Sequence, residues 1–422
     1  MVTAGDIVPL TIEKPAAGGR MIARADRLVV LVAGAIPGER VRARIERVAK
    51  GVAYATTVDI DDVSADRRAA DADPLCGGCL YAHIAYPRQL ELKSLVVADA
   101  FRRVAHLALP GDVTVVASPE EGYRMRARLH VRGRVCGFFR EGTHELCDAR
   151  QTRQLLPATV DLLDRLAGTD DSLPPGLREI EVTENLDASH RVVHLDFAAD
   201  TPRPESQRLE RLAAMDGLTG LSSPWGSFGD PHVTDTIRIG DRPGVPLRRH
   251  VLAFFQGNRY LLHQLVAHVT GKIPLDADAI DLYAGVGLFA VTAASTRGAR
   301  VTAVEGDRTA AADLTVNAAA AEGVVAVHQS VEEFVASSAG AAPANRLTMI
   351  VDPPRTGMSR AALDGVCRRA AQRLVYVSCD VATLARDARR IVDSGYPLIE
   401  VDAFDLFPNT PHVETVAVFE RS

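Results

Sequence analysis

The chain has 422 residues, is 47% hydrophobic and 24% charged, and carries a formal net charge of −6. This length suggests two to four domains and the composition of a soluble globular protein with a sizeable core, and the acidic balance excludes a general polycation, so any nucleic-acid site must be a local basic patch. Six cysteines are too few for a disulfide scaffold of this size, and with no apolar run of roughly 18 residues and no secretory pattern in "MVTAGDIVPLTIEKP", a reduced, cytoplasmic, membrane-free setting is expected. Residues 1–62 alternate β-branched and polar positions between Gly/Pro breaks ("AAGGR", "PGER"), which predicts a small all-β barrel. In "ERVRARIERV" the charges alternate with Val41, Ala43, Ile45 and Val48, so one face of that strand is basic.

A linker and a cysteine cluster fill 63–78. Residues 86–109 read as a helix, with Leu90, Leu92, Leu95, Val96 and Val97 on its apolar side, and 113–150 return to β. In "YRMRARLHVRGRV", period two puts Arg124, Arg126, Arg128 and His130 on one face and Met125, Ala127, Leu129 and Val131 on the other, with a turn at Arg132 and Gly133. Neighbouring arginines on one sheet face repel each other, so the pattern favours a surface that meets a polyanion over a plain solvated face. "DDSLPPG" (170–176) reads as a loop. From about residue 250 strands alternate with helices. Strands are expected at 279–284, 300–305, 324–329, 347–352, 373–378, 398–404 and 413–419, as an open, mostly parallel α/β sheet closed by a final hairpin. "SSAGAAPANR" (337–346) reads as a surface loop. The domains expected are 1–62, 63–245 and 246–422.

The C-terminal motifs carry the chemistry. "AIDLYAGVGLFAVTAA" is a strand, a turn with Gly285 and Gly287, and a helix, with Glu305 ending the next strand. That arrangement suits a nucleoside cofactor, either NAD or S-adenosylmethionine. "MIVDPPRTG" favours the second, because two prolines after a buried strand fix Asp352 rigidly beside the crevice at the strands' carboxyl ends. Cys379 follows the fifth strand of that sheet and Glu414 starts the last. A thiolate added to C6 of a uracil makes C5 nucleophilic, C5 takes a methyl group, and a base then removes the C5 proton so that the thiolate can leave. Cys379 and Glu414 are the residue types that this sequence of steps needs.

In order along the chain, "FFQGN" (254–258), "DLYAGVG" (281–287), "VEGD" (304–307), "DPPRTG" (352–357), "VSC" (377–379) and "PHVE" (411–414) resemble the motifs of the RNA uracil-5-methyltransferase family over nearly the full length, with 1–62 resembling its RNA-binding TRAM barrel. The resemblance implies an α/β class I methyltransferase domain (Rossmann-like, with a mostly parallel seven-stranded sheet) behind an OB-like β-barrel and a central β-rich RNA-binding domain. It implies that Gln256, Tyr283, Gly285, Glu305 and Asp352 bind S-adenosylmethionine, that Cys379 is the nucleophile and Glu414 the base, and that Arg124, Arg126, Arg128 and Arg355 face RNA. Ribosomal RNA is favoured over transfer RNA by the barrel, and a monomer is expected. Three departures from the family pattern stand out: Asp380-Val381 replaces Asn and Pro, Leu288 an Asn, and Leu406 a Gln. Asp380 is expected to raise the pKa of the neighbouring thiol, and Leu288 to remove a polar contact to the cofactor.

Some family members hold a [4Fe–4S] cluster on four cysteines. Here "DPLCGGCLYAH" supplies Cys76 and Cys79, Cys147 stands at the downstream position, and Ala70 occupies the upstream one. Three readings stay open: a cluster with a non-cysteine or open fourth position, a zinc site completed by His83 or His144, or no metal. Cys136 and Cys367 read as packing residues. The competing functions are a cytosine-5-methyltransferase, disfavoured because no proline adjoins Cys379, and an RNA-binding protein with a vestigial methyltransferase domain.

Overall fold

The computed structural model describes residues 2–70, 73–133, 135–168, 176–203, 205–337 and 346–421. Most of the expected loops at 170–176 and 337–346 lies outside these residues. Among the described residues no helix is long and apolar enough to cross a membrane.

The N-terminal strands form a six-stranded sheet in the spatial order Ile7–Thr11, Arg40–Ala49, Val52–Asp62, Leu28–Ala33, Met21–Ala25, Lys14–Pro15, wrapped around Leu10, Met21, Val30, Val32, Val41, Ala43, Ile45 and Ala55. Period-two alternation in Arg40–Ala49 turns Val41, Ala43 and Ile45 inward. Val48 does not follow: the register shifts between Ile45 and Arg47, and Val48 is exposed. Nor is the basic face bare, since Arg42 pairs with Asp59 and Arg40 lies 3.6 Å from Asp62 on the next strand.

Helix Tyr86–Ala100 opens on a proline in its first turn and runs on as a π-turn through Phe101–Ala105. Its buried face carries Leu92, Val96 and Val97, together with Gln89 and Lys93. Leu95, expected on that face, is exposed. The central seven-stranded sheet runs Leu146–Asp148, Val135–Phe139, Arg126–Arg132, Leu177–Glu184, Arg191–Phe197, Gly220–Ser223, Gly226–Gly229. Helices Pro157–Gly168 and Ser206–Ala213 pack on Leu129, Ile180, Val193 and Leu195. The expected domain boundary after residue 245 cuts into a strand, because Val245–His250 pairs with His232–Ile237 as a hairpin.

The C-terminal sheet has the order Val324–His328, Arg300–Glu305, Asp278–Leu282, Thr348–Val351, Arg373–Ser378, Glu414–Glu420, Leu398–Phe404, Val115–Val116. The first five strands are parallel, and Glu414–Glu420 is antiparallel to both its neighbours. The seven strands fall where the sequence places them, within one or two residues. An eighth, the two-residue Val115–Val116, pairs along the edge strand and covers part of an otherwise open edge.

The loop 405–412, between the last two long strands, is tied down from far along the chain. Lys93 Nζ donates to Asp405 Oδ1 (2.5 Å), with both side chains fully buried, and to Phe407 O (3.1 Å). Gln89 exchanges two hydrogen bonds with Asn409, each 2.9 Å. Arg68 also donates to Asn409 Oδ1 (2.6 Å), and Tyr123 OH donates to Pro408 O (3.2 Å). Asn409 sits at φ +63°, a left-handed conformation that asparagine tolerates better than most residues. Removing one partner of a buried ion pair leaves an uncompensated charge. Lys93→Met is therefore expected to cost about 3–5 kcal/mol in urea denaturation, and Lys93→Met with Asp405→Leu to recover most of it. A double variant as unstable as the single one would contradict this.

Candidate active site

The site lies at the carboxyl ends of the parallel strands. After Asp278–Leu282 the chain turns through Tyr283 (φ +62°), Gly285 (φ +56°) and Gly287 (φ +94°) into helix Leu288–Arg297. A Cβ at Gly287 would lie 2.9 Å from Leu314 Cδ1, whereas at Gly285 it would approach only Phe254 O, at 3.9 Å. The first glycine thus borders the open crevice, and the second lets the helix pack. Asp281, fully buried, accepts a hydrogen bond from Ala290 N (3.0 Å) and stiffens the turn, with its carboxyl pushed well up by burial and by Asp352. Glu305 accepts from Gly285 N (2.7 Å) and Asp307 N (2.6 Å).

Asp352 leaves strand Thr348–Val351 and accepts from Gln256 Nε2 (3.1 Å), so Gln256, 4% exposed, is brought to the same crevice. Burial pushes the Asp352 carboxyl up to about 7. The following loop is anchored by Asp387, whose Oδ2 accepts from Met358 N (3.0 Å) and Tyr376 OH (2.8 Å).

Strand register brings thiol and carboxyl together. Ser378 pairs with Thr415 in the antiparallel ladder, so Cys379, one residue on, meets Glu414, one residue back. Cys379 is half-buried, and its thiol is pushed up to about 12 by burial and by Glu414 and Asp352, against the opposing charge of Arg355 beside it. Glu414 is 1% exposed, and its Oε1 has no hydrogen-bond partner. Burial first, and Asp352 next, hold its carboxyl well above the usual range. A thiol, a buried carboxyl with one oxygen unpartnered and a crevice bordered by Gly285 therefore share one end of the sheet.

Residues 227–422 match the family model for tRNA (uracil-5-)-methyltransferase, and residues 2–58 match that for the TRAM domain. The chain is 31% identical over 444 residues to the 23S rRNA (uracil(1939)-C(5))-methyltransferase RlmD of Pseudomonas putida, with 99% of this chain and 95% of the relative covered. The chain belongs to the RNA uracil-C5-methyltransferase family. The RlmD of Acidithiobacillus ferrooxidans is 32% identical over 429 residues, covering 96% of this chain and 95% of the relative. The Pyrococcus abyssi tRNA (uracil-54, C5)-methyltransferase, solved with S-adenosyl-L-homocysteine, shares the fold with a TM-score of 0.71 at 23% identity, covering 98% of this chain and all of that one. As a member of this family the protein is an S-adenosylmethionine-dependent transferase that acts on RNA.

For a uracil-C5-methyltransferase, the arginine stripe is arranged differently from its sequence reading. Alternation holds, but strand Leu177–Glu184 sets Glu181 opposite Arg128 and Glu179 opposite His130. Arg126 pairs with Glu181, Arg128 lies 3.3 Å from Glu181, and His130 lies 3.0 Å from Glu179. The repulsion is relieved within the protein, so it no longer argues for a polyanion. Arg124 instead turns inward, its Nη1 donating to Gln154 Oε1 (2.6 Å). Met125 N donates to Gly257 O (2.9 Å) and Arg259 N to Tyr123 O (2.9 Å), clamping this strand's start to "FFQGN", and burial first, then Arg355, Lys93 and Arg124, lowers the His412 imidazole to about 4.

The departures at 288, 380 and 406 also read differently in place. Asp380 caps helix Val381–Asp393, accepting from Thr383 N (2.8 Å); the carboxylates that raise the thiol are Glu414 and Asp352. Leu288 and Leu406 are buried in the apolar core. Several residues that position the site went unremarked as such in the sequence. Asp281 and Asn258 lie inside recognised motifs, and Asn258 caps the turn after "FFQGN" through Tyr260 N (2.9 Å) and Leu261 N (3.0 Å). Phe254, 59% exposed beside Arg126, belongs to the same motif. Asp387 has no local signal.

Cys76, Cys79 and Cys147 do come together, but Cys76 and Cys147 form a disulfide and Ala70 offers no ligand. With one free thiol left among the three, this donor set does not fit a [4Fe–4S] cluster. Among the described residues, the donor atoms of His83 and His144 do not gather with these cysteines into a group close enough to share a metal ion.

The environment of the thiol gives a test by alkylation at pH 8 with iodoacetamide, read at Cys379 by peptide mapping. Removing a neighbouring negative charge lowers a thiol pKa and removing a positive one raises it, about tenfold in thiolate per unit. Glu414→Gln is expected to speed labelling severalfold and Arg355→Met to slow it. Asp380→Asn, which keeps the helix cap, is expected to change it less than twofold. Acceleration by Asp380→Asn equal to that of Glu414→Gln would restore the expected role of Asp380.

Proposed function

We propose that the protein methylates C5 of a uridine in 23S ribosomal RNA, with Cys379 as nucleophile and Glu414 as general base. The observation that carries this reading is the strand register that sets an unpartnered, buried Glu414 carboxyl against the Cys379 thiol beside Asp352. The target base must leave its stack to reach a thiol at a sheet edge. The Cys379 thiolate then forms a bond to C6, and the electron pair of the C5=C6 bond moves towards O4, leaving C5 nucleophilic. Arg355, the cation beside the thiol, favours the thiolate against burial and two carboxylates. Bound S-adenosylmethionine supplies the methyl group as a sulfonium electrophile. Gln256, Tyr283, Gly285, Glu305 and Asp352 are the residues that would hold it, around a glycine turn with open space at Gly285.

C5 then carries both a methyl group and a hydrogen. Glu414 removes that proton, the C5=C6 bond reforms and the thiolate leaves. A carboxylate whose proton affinity is raised by burial suits that task, and its free Oε1 is the acceptor. The RNA contacts proposed are Arg355, beside the thiol, and Arg124, held from within by Gln154, while Arg126 and Arg128 would meet RNA as half of a charge-paired stripe. Ribosomal RNA is favoured by the substrate named for the RlmD relatives. Transfer RNA is the second reading, favoured by the description of the matching family model.

RNA containing 5-fluorouridine should trap a covalent complex with the wild-type protein and none with Cys379→Ala. Glu414→Gln should accumulate the complex on ordinary RNA. Failure of every ribosomal and transfer RNA to trap wild-type protein would favour a binding protein with a vestigial methyltransferase domain. Mapping 5-methyluridine in a deletion strain separates the substrates: loss in 23S RNA supports the proposal, and loss confined to transfer RNA contradicts it.

A further inference from the structure

Three cysteine sulfurs, two from one turn and one from far downstream, meet at one buried point. Cys76 and Cys147, 71 residues apart, are joined, and Cys79 is packed with them beside Phe138 and Ala82. The turn that carries Cys76 and Cys79 is fastened on both sides. Gly77 N donates to Phe139 O (3.2 Å), and Gly78 O accepts from the fully buried Gln154 Nε2 (2.6 Å). A Cβ at position 78 would run into that amide nitrogen, so the contact requires glycine. Gln154 in turn holds Arg124: its Oε1 accepts from Arg124 Nη1 (2.6 Å) and its backbone carbonyl from Arg124 N (2.9 Å). Arg124 Nε donates to Arg126 O (2.9 Å), and the guanidinium lies over the Phe138 ring at 5.2 Å.

We propose that this chain has a cross-link between Cys76 and Cys147 in place of a metal cluster, and that the cross-link positions Arg124 at the uridine site through Gly78 and Gln154, making RNA engagement responsive to thiol redox state. The positioning half rests on the uridine reading above; the cross-link does not. Forming the link removes two protons and two electrons from the Cys76 and Cys147 thiols, which a small-molecule disulfide accepts in becoming two thiols. Gln154 is a positioning residue in this account, linking the cysteine turn to Arg124.

The test uses full-length protein purified without air, assayed for iron, sulfide and zinc, then equilibrated with oxidised or reduced glutathione. Expected are no stoichiometric metal, a Cys76-to-Cys147 link in non-reducing peptide maps, and four free thiols before full reduction against six after. Reduction should lower the melting temperature by about 5–10 °C. It should also raise KM for RNA roughly tenfold, one unit of 1.4 kcal/mol in binding, with little change in kcat. Gln154→Ala should show the raised KM in both redox states and no further response to reduction. Stoichiometric iron with sulfide, stoichiometric zinc, or no link after oxidation would overturn the proposal. A link with Gln154→Ala still fully redox-responsive would overturn the positioning role. A link in protein that methylates no RNA in either state would uphold the cross-link and count against the uridine reading.

Discussion

The antiparallel pairing of strand Arg373–Ser378 with Glu414–Glu420 is the constraint on which the site depends. Because side chains in a ladder are fixed by register, a slip of one residue would turn Glu414 away from Cys379 and reverse the faces of the whole strand. The register is held by burial: Leu374, Val375, Tyr376 and Val377 face Val416, Ala417, Val418 and Phe419, all nearly inaccessible to solvent. Placing a carboxyl there without a partner for one oxygen is unfavourable, and the surrounding core offsets that cost. The same burial raises the proton affinity of Glu414, so the feature that destabilises the fold locally is also the one that suits the residue to the proposed role of base.

The loop before Glu414 needs support of its own. Residues 405–412 carry no regular structure, yet they deliver His412 and Glu414 to the crevice. Lys93 and Gln89, on a helix more than three hundred residues earlier in the chain, meet Asp405 and Asn409. Helix Tyr86–Ala100 is therefore a structural part of the active site although it contributes no reacting group. The short strand Val115–Val116 works in the same direction by joining the edge of the catalytic sheet. Part of the region before residue 246 is thus built into the methyltransferase sheet.

Much of this was legible in the sequence. The strand ends carrying Gly285, Glu305, Asp352 and Cys379 could be read because each is a local pattern, an apolar run that stops at a residue able to do chemistry. What could not be read depends on which strands become neighbours. Glu179 and Glu181 neutralise the arginine stripe from about fifty residues away, and nothing in "YRMRARLHVRGRV" announces them. The joining of Cys76 to Cys147, and the bulge that exposes Val48, are likewise consequences of pairing. The cap at Asp380 was hidden for a different reason: as a neighbour of Cys379 in sequence it stood out as a charge near the thiol, and only the strand-to-helix turn directs its carboxyl to the backbone of Thr383.

The central claim, that Glu414 takes the C5 proton after the Cys379 adduct has been methylated, is tested most directly by tritium release from RNA labelled at uridine C5, compared with methyl transfer in a single turnover. Wild-type protein should release tritium and transfer methyl in equal amounts, Cys379→Ala should do neither, and Glu414→Gln should transfer methyl while retaining the tritium. Tritium release that keeps pace with methyl transfer in Glu414→Gln would contradict the account.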